Sequence, residues 1–200
     1  MHIADGVLTF EATLAVSALS AFAFYKAIQT LDSERISIAA VCSAMFFIAS
    51  FIHIPFGVTQ IHLILLGVIG IILGLSSFVS IFIALLLQAF LLGYGGIASL
   101  GVNLFIMATP AFMVYYLYHT RLFQTIPPKI RFFLVGFLGT FFATLFLTLI
   151  LYFSKEEYEY AALSIMGVNV VTMIVEGFVS MFLLLFIQKV YPQILKDKRV

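Results

Sequence analysis

The chain has 200 residues, of which 64% are hydrophobic and only 10% charged, with a formal net charge of +1. That apolar share exceeds the roughly 45–50% of a soluble domain, and a near-neutral chain offers no electrostatic case for nucleic acid. An all-α integral membrane protein forming a single domain over residues 1–200 is expected, and its single cysteine, Cys42, excludes a disulfide framework or a cysteine metal cluster.

The opening Met1-His2-Ile3-Ala4-Asp5-Gly6 carries an acid and no Lys or Arg, unlike the positive start of a secretory signal peptide, so it is expected to be retained. A free amino group, the amide nitrogen of residue two and an imidazole on that same residue can close fused chelate rings around one divalent metal ion. Residues 1–7 are therefore a candidate metal-binding segment; the alternative is a polar residue at a frayed terminus. Asp5 has two readings, as an acceptor behind a ligating histidine or as a cap of the first helix.

A spanning helix needs about 20 mainly apolar residues, and breaks in the pattern give seven transmembrane helices. The first runs from Leu8 to Tyr25 and the second from Ile36 to Ile54. The uncharged stretch from His62 to Leu92 must turn near Gly74-Leu75-Ser76-Ser77, which yields two short helices. The fifth covers Leu100–Tyr118, the sixth Phe132–Phe153 and the seventh Leu163–Ile187. Ser17 and Ala21, four apart on the first span, allow close approach of a partner helix.

Short cytoplasmic loops are enriched in Lys and Arg. With the N-terminus outside and the C-terminus cytoplasmic, Lys26, Arg35, Arg121, Lys129, Arg131, Lys189, Lys196, Lys198 and Arg199 fall inside and only Lys155 outside, a nine-to-one division. The same topology gathers Met1, His2, Asp5, the loop from Pro55 to Ile61 and the turn Tyr94-Gly95-Gly96 on the outer face, with His53 and His62 flanking that loop. His119 falls at the cytoplasmic end of the fifth span, as an interfacial residue beside Arg121.

Imidazole suits nickel, cobalt, copper and zinc, and square-planar nitrogen coordination suits nickel(II) and copper(II). His62, on the face that holds the terminal amine and His2, is either a ligand or a hydrogen-bonded interfacial histidine. His53 is either near the metal or an anchor for the end of the second span. Glu176 lies midway along the seventh span, where an ionisable group is costly and suggests function; a packing lock and a role in coupling both remain open. Asn103 and Asn169 read as interhelical hydrogen-bonding residues. The chain lacks the Gly-x-x-x-x-Gly-Lys-Ser/Thr loop for ATP, and the His-Glu-x-x-His and Gly-x-Ser-x-Gly patterns of a zinc protease and a serine hydrolase, so a transport component rather than an enzyme is expected.

These residues carry a resemblance. Met1-His2-Ile3-Ala4-Asp5-Gly6, His62 followed by Gly67 and Gly74, Gln88-Ala89 leading to Gly93-Tyr94-Gly95-Gly96-Ile97, Leu100-Gly101-Val102-Asn103, and Glu176-Gly177 make nearly the whole chain similar to the substrate-binding membrane component of cobalt and nickel energy-coupling-factor transporters, the CbiM/NikM family. The resemblance implies that Met1, His2 and His62 bind a nickel or cobalt ion as substrate, with the N-terminal segment inserted from the outer face into a pocket among the helices. It also implies a membrane coupling subunit, two cytoplasmic ATPase subunits, often a small accessory membrane protein, and residence in a prokaryotic plasma membrane. The chain departs from the family pattern at Tyr94, where a histidine or acid is common, near Asn169, where a histidine is common, and at Val58-Thr59-Gln60-Ile61, usually richer in Gly and Ser. Asp5, His53, Tyr94, Asn103 and Glu176 are the remaining candidates around the site or for coupling. A stand-alone metal carrier or channel, with Glu176, Asn103 and Asn169 lining an ion path, is the alternative.

Overall fold

The computed structural model describes residues 2–56, 59–154 and 158–195, with the backbone alone at residues 53–56, 59–61 and 161. Met1, Val58, Lys155, Lys196, Lys198 and Arg199 lie outside the described residues. Each of the seven expected segments is a helix: α1 Phe10–Ile28, α2 Ser33–Ala49, α3 Leu66–Leu73, α4 Ser77–Leu92, α5 Leu100–Tyr118, α7 Pro128–Tyr152 and α8 Glu159–Val190, with a single added turn, α6 Arg121–Gln124, between the fifth and sixth. The starts follow local chemistry. Thr9 and Asp32 accept hydrogen bonds from the amides of Ala12 and Arg35, at 3.3 and 2.8 Å, capping α1 and α2. Pro128 opens α7, where its missing N–H costs nothing.

Two boundaries differ from the apolar pattern. α2 ends at Ala49, five residues before the expected Ile54, and the expected loop is a hairpin of β1 His53–Phe56 and β2 Thr59–His62, in antiparallel register with His53 opposite His62. Pro55, within β1, bars helix at that position and suits the edge of a two-stranded hairpin. Five helical stretches among the described residues are long and apolar enough to cross a membrane, counting Leu66–Leu92 as one. That stretch reverses within a 3-10 turn, Gly74–Ser76, where Gly74 takes φ +56°. α3, with eight residues, is too short to cross a bilayer alone.

α3 sits inside the bundle, where backbone replaces side chain at its contacts. A Cβ on Gly67 would lie 2.0 Å from the Val135 carbonyl oxygen of α7, and one on Gly70 would lie 2.0 Å from that of Ala111 in α5. Around it the core draws Ile64, Leu66, Ile69, Ile81, Ile106 and Met107 out of contact with the surroundings. α7 and α8 pack along each other and complete the wall.

The molecule has two chemically distinct ends. At one, Thr30 and Arg35 meet Ser76 at 2.9 and 3.3 Å, and Tyr115 packs on Gly74. Lys26, Arg121, Lys129, Arg131 and Lys189 lie at the helix termini of that same end. The other end gathers His2, Asp5, His62, Gln88 and Tyr94. Ser17 faces α5 of its own chain, since a Cβ on Gly101 would lie 2.4 Å from its hydroxyl, and Ser20 donates to the Gly101 carbonyl at 2.7 Å. Ser17 and Ser20 thus pack against α5 within the chain, while Ala21 is exposed.

Candidate metal site

The segment before α1 folds back over the α4–α5 connection and is held there by polar contacts to its backbone. Asn103, in the first turn of α5, grips Ile3 from both sides: its Oδ1 accepts from the Ile3 amide at 2.8 Å and its Nδ2 donates to the Ile3 carbonyl at 2.9 Å. Ser99 Oγ also donates to that carbonyl, at 2.8 Å. The Ile3 side chain is buried at 3% exposure, so the segment is anchored by an apolar plug as well as by hydrogen bonds. Asp5 accepts from the amides of Ser99 and Ala98, at 2.8 and 3.3 Å. Desolvation pulls its carboxyl upward, but these bonds prevail and hold it below the usual carboxylate range. A Cβ on Gly96 would fall 2.1 Å from that carboxylate, so only glycine admits Asp5 so closely.

These anchors position His2. Its ring lies 6.0 Å from that of His62, at 25° between planes, and 6.0 Å from that of Tyr94. Its Nε2 meets Oε1 of Gln88, on α4, at 2.9 Å. A carbonyl oxygen can only accept, so the proton sits on Nε2 and the Nδ1 lone pair is left for another partner. Burial foremost holds the imidazole far below its ordinary value, at about 3, with His62 adding to the effect and the Gln88 bond opposing it. The ring is thus neutral at physiological pH, the state in which imidazole binds metal.

The backbone that follows His62 is held by Glu176 of α8, a fully buried carboxylate that accepts from the amides of Ile64 and Leu65, the latter at 3.1 and 3.2 Å. Leu65 adopts φ +53°, which turns the chain from β2 into α3. Of the two roles open to Glu176, the lock is the one its contacts display. His53 shares a backbone pairing with His62, and its side chain lies outside the described residues. Asn169 donates to the Ile165 carbonyl of its own helix, at 2.9 Å, and takes no part in the site. Gln88 and Ser99 are functional neighbours that a search for charged or imidazole side chains overlooks. Their signal is a polar residue at the end of an apolar run.

Among the described residues, no three His, Cys, Asp or Glu side chains converge to hold a metal. A set resting on backbone nitrogen and two imidazoles does not need them. The family model for the cobalt uptake substrate-specific transmembrane region, CbiM, matches residues 2–194. The chain belongs to the CbiM family. This CbiM chain is 43% identical over 122 residues to a Haemophilus influenzae protein described as a metal transport candidate, covering 61% of this chain and 59% of that one. It is 32% identical over 121 residues to the fused nickel transport protein NikMN of Rhodobacter capsulatus, covering 57% of this chain and 35% of that one. The matches thus span about three fifths and one third of those relatives' lengths. Two crystal structures of transition metal transporters, one of them truncated, superpose with TM-scores of 0.81 and 0.80 at 26% and 24% identity, covering 95% and 94% of this chain and 93% and 99% of theirs. The CbiM chain is an integral membrane protein.

Proposed function

We propose that this chain captures nickel(II) or cobalt(II) on the outer face of a prokaryotic plasma membrane, as the substrate-specific component of an ATP-driven energy-coupling-factor transporter. The observation that carries the reading is the near-parallel placement of His2 against His62, 6.0 Å apart. The terminal amine of Met1, the amide nitrogen and Nδ1 of His2, and the imidazole of His62 supply four nitrogens. Such a set suits the square-planar preference of nickel(II). Gln88 orients the His2 ring through its other nitrogen, the usual arrangement behind a ligating histidine.

Energy comes from partners, since the chain has no phosphate-binding loop. A membrane coupling subunit, a pair of cytoplasmic ATPases and a small accessory membrane protein are the partners proposed. The rival, a stand-alone carrier, needs an open intramembrane acid. Glu176 is already engaged by two backbone amides, which favours the capture component.

Titration of the purified chain with nickel(II) and cobalt(II), followed by absorption spectroscopy, tests the site. One saturable equivalent is expected. Adding one residue before Met1, or making His2→Ala, is expected to weaken binding by on the order of 100-fold or more, while helicity and melting behaviour are retained. Unchanged affinity in both folded variants rejects the ligand set.

A further inference from the structure

The end of the bundle opposite His2 holds polar groups that metal capture does not use. A cleft of about 310 Å³ opens there, lined by His119, Gln124, Arg131, Gln188 and Leu195 among others. Arg131 lines it, 8% exposed, with its guanidinium 5.5 Å from the ring centres of Tyr118 and Phe132. Its Nη1 donates to the backbone oxygen and Oε1 of Gln124 at 3.3 and 2.7 Å. Gln124 is held in turn, donating to the Tyr118 carbonyl at 2.6 Å. Among the described residues, the buried Nε of Arg131 nevertheless has no hydrogen-bond partner, and nor has Nε2 of His119, whose Nδ1 is fixed on the Tyr115 carbonyl at 2.9 Å.

Among the described residues, no acidic side chain lines the cleft. A withdrawn guanidinium with a spare donor and no counter-charge among the described residues is a costly arrangement unless an anion completes it. We propose that this cleft binds a phosphate group, with Arg131 and His119 as its recognition residues. A phosphate oxygen accepts from Arg131 Nε–H in a charge-assisted bond that suits the guanidinium edge. His119 Nε2 bonds a second oxygen, accepting from a protonated phosphate or donating as imidazolium to a diester. The volume is that of a small-ligand site. Arg121, Lys129 and Lys189 at the same end of the bundle add positive potential, and basic pockets between helices suit anionic lipid head groups. A phospholipid and free phosphate offer the same chemistry.

The test uses the full chain, delipidated in neutral detergent, with native mass spectrometry and thermal melting. The probes are inorganic phosphate, mixed micelles of phosphatidylglycerol, mixed micelles of phosphatidylcholine, and glutarate. One saturable equivalent of phosphatidylglycerol or phosphate is expected, weakened about tenfold or more in Arg131→Gln and in His119→Ala, as loss of a charged hydrogen bond requires. Displacement of the lipid by phosphate identifies a site for the free oxyanion. Binding of phosphatidylglycerol that phosphate does not displace identifies a lipid site. If Arg131→Gln does not fold, His119→Ala, at a partly buried position, carries the comparison. The proposal is overturned by wild-type protein that takes up no saturable equivalent, by equal retention of phosphatidylcholine, or by a preference for glutarate, which would point to an acidic partner protein. Undiminished binding in the folded variants overturns it as well.

Discussion

At His2, burial and metal binding make the same demand, a ring without a second proton. The unfolded imidazole takes up a proton near 6.5, whereas the folded one does so only near 3. Between those values unfolding binds a proton, so the metal-free chain keeps its full stability above about pH 6.5 and loses it progressively as the pH falls towards 3. Melting temperatures recorded from pH 7.5 to 5 should therefore fall more steeply for the wild type than for His2→Gln; parallel curves would show that the ring is not withdrawn from solvent. Glu176 invites the complementary test. Removing it in Glu176→Ala leaves the Ile64 and Leu65 amides buried without an acceptor, at about 1–3 kcal/mol for each unsatisfied group. Glu176→Gln keeps one carbonyl acceptor and should melt closer to the wild type. Equal losses in the two variants would mean that charge, not hydrogen bonding, is what the site needs.

At the scale of elements, α3 is stabilised by backbone proximity rather than by side-chain volume. Gly70→Ala would drive a methyl group into the Ala111 carbonyl, and overpacking of this kind costs about 1–3 kcal/mol or more. Gly167, inside α8, has nothing within 4 Å of the same added atom, so Gly167→Ala should be neutral or stabilising by about 0.5–1 kcal/mol through helix propensity. Thermal unfolding of the two variants side by side decides it, and a Gly70→Ala protein as stable as wild type would remove α3 from the packed interior. The seven helices and the Gly74 reversal were legible because hydrophobic length and turn residues are local properties. The hairpin from His53 to His62 was not, because its apolar residues continue the hydrophobic pattern of α2. His2, Asp5 and Asn103 stood out by residue type, but the partners that place them, Gln88 and Ser99, are uncharged and ordinary in an apolar sequence. Only the fold brings Gln88 within 2.9 Å of a residue 86 positions away.

For the whole molecule, the division of charge between its ends predicts which way it faces. The described basic residues cluster around Ser76, Gln124 and the end of α8, while the His2 end carries Asp5 and polar amides. Membrane insertion retains Lys and Arg on the cytoplasmic side, so the His2 end should face outward, where a scarce ion is met. Single-cysteine labelling separates the two orientations, because the native Cys42 is 3% exposed and contributes little background. Ile97, beside the Asp5 anchor, and Leu122, on α6 at the basic end, are 61% and 78% exposed. In intact cells a membrane-impermeant maleimide should label Ile97→Cys and spare Leu122→Cys, and permeabilisation should make both reactive. The reverse pattern would place the histidines inside and turn metal capture from import towards export. Labelling of neither in permeabilised cells would show instead that partner subunits cover both ends. The ends differ in the chemistry they present, so the two outcomes assign different jobs to the same pair of rings.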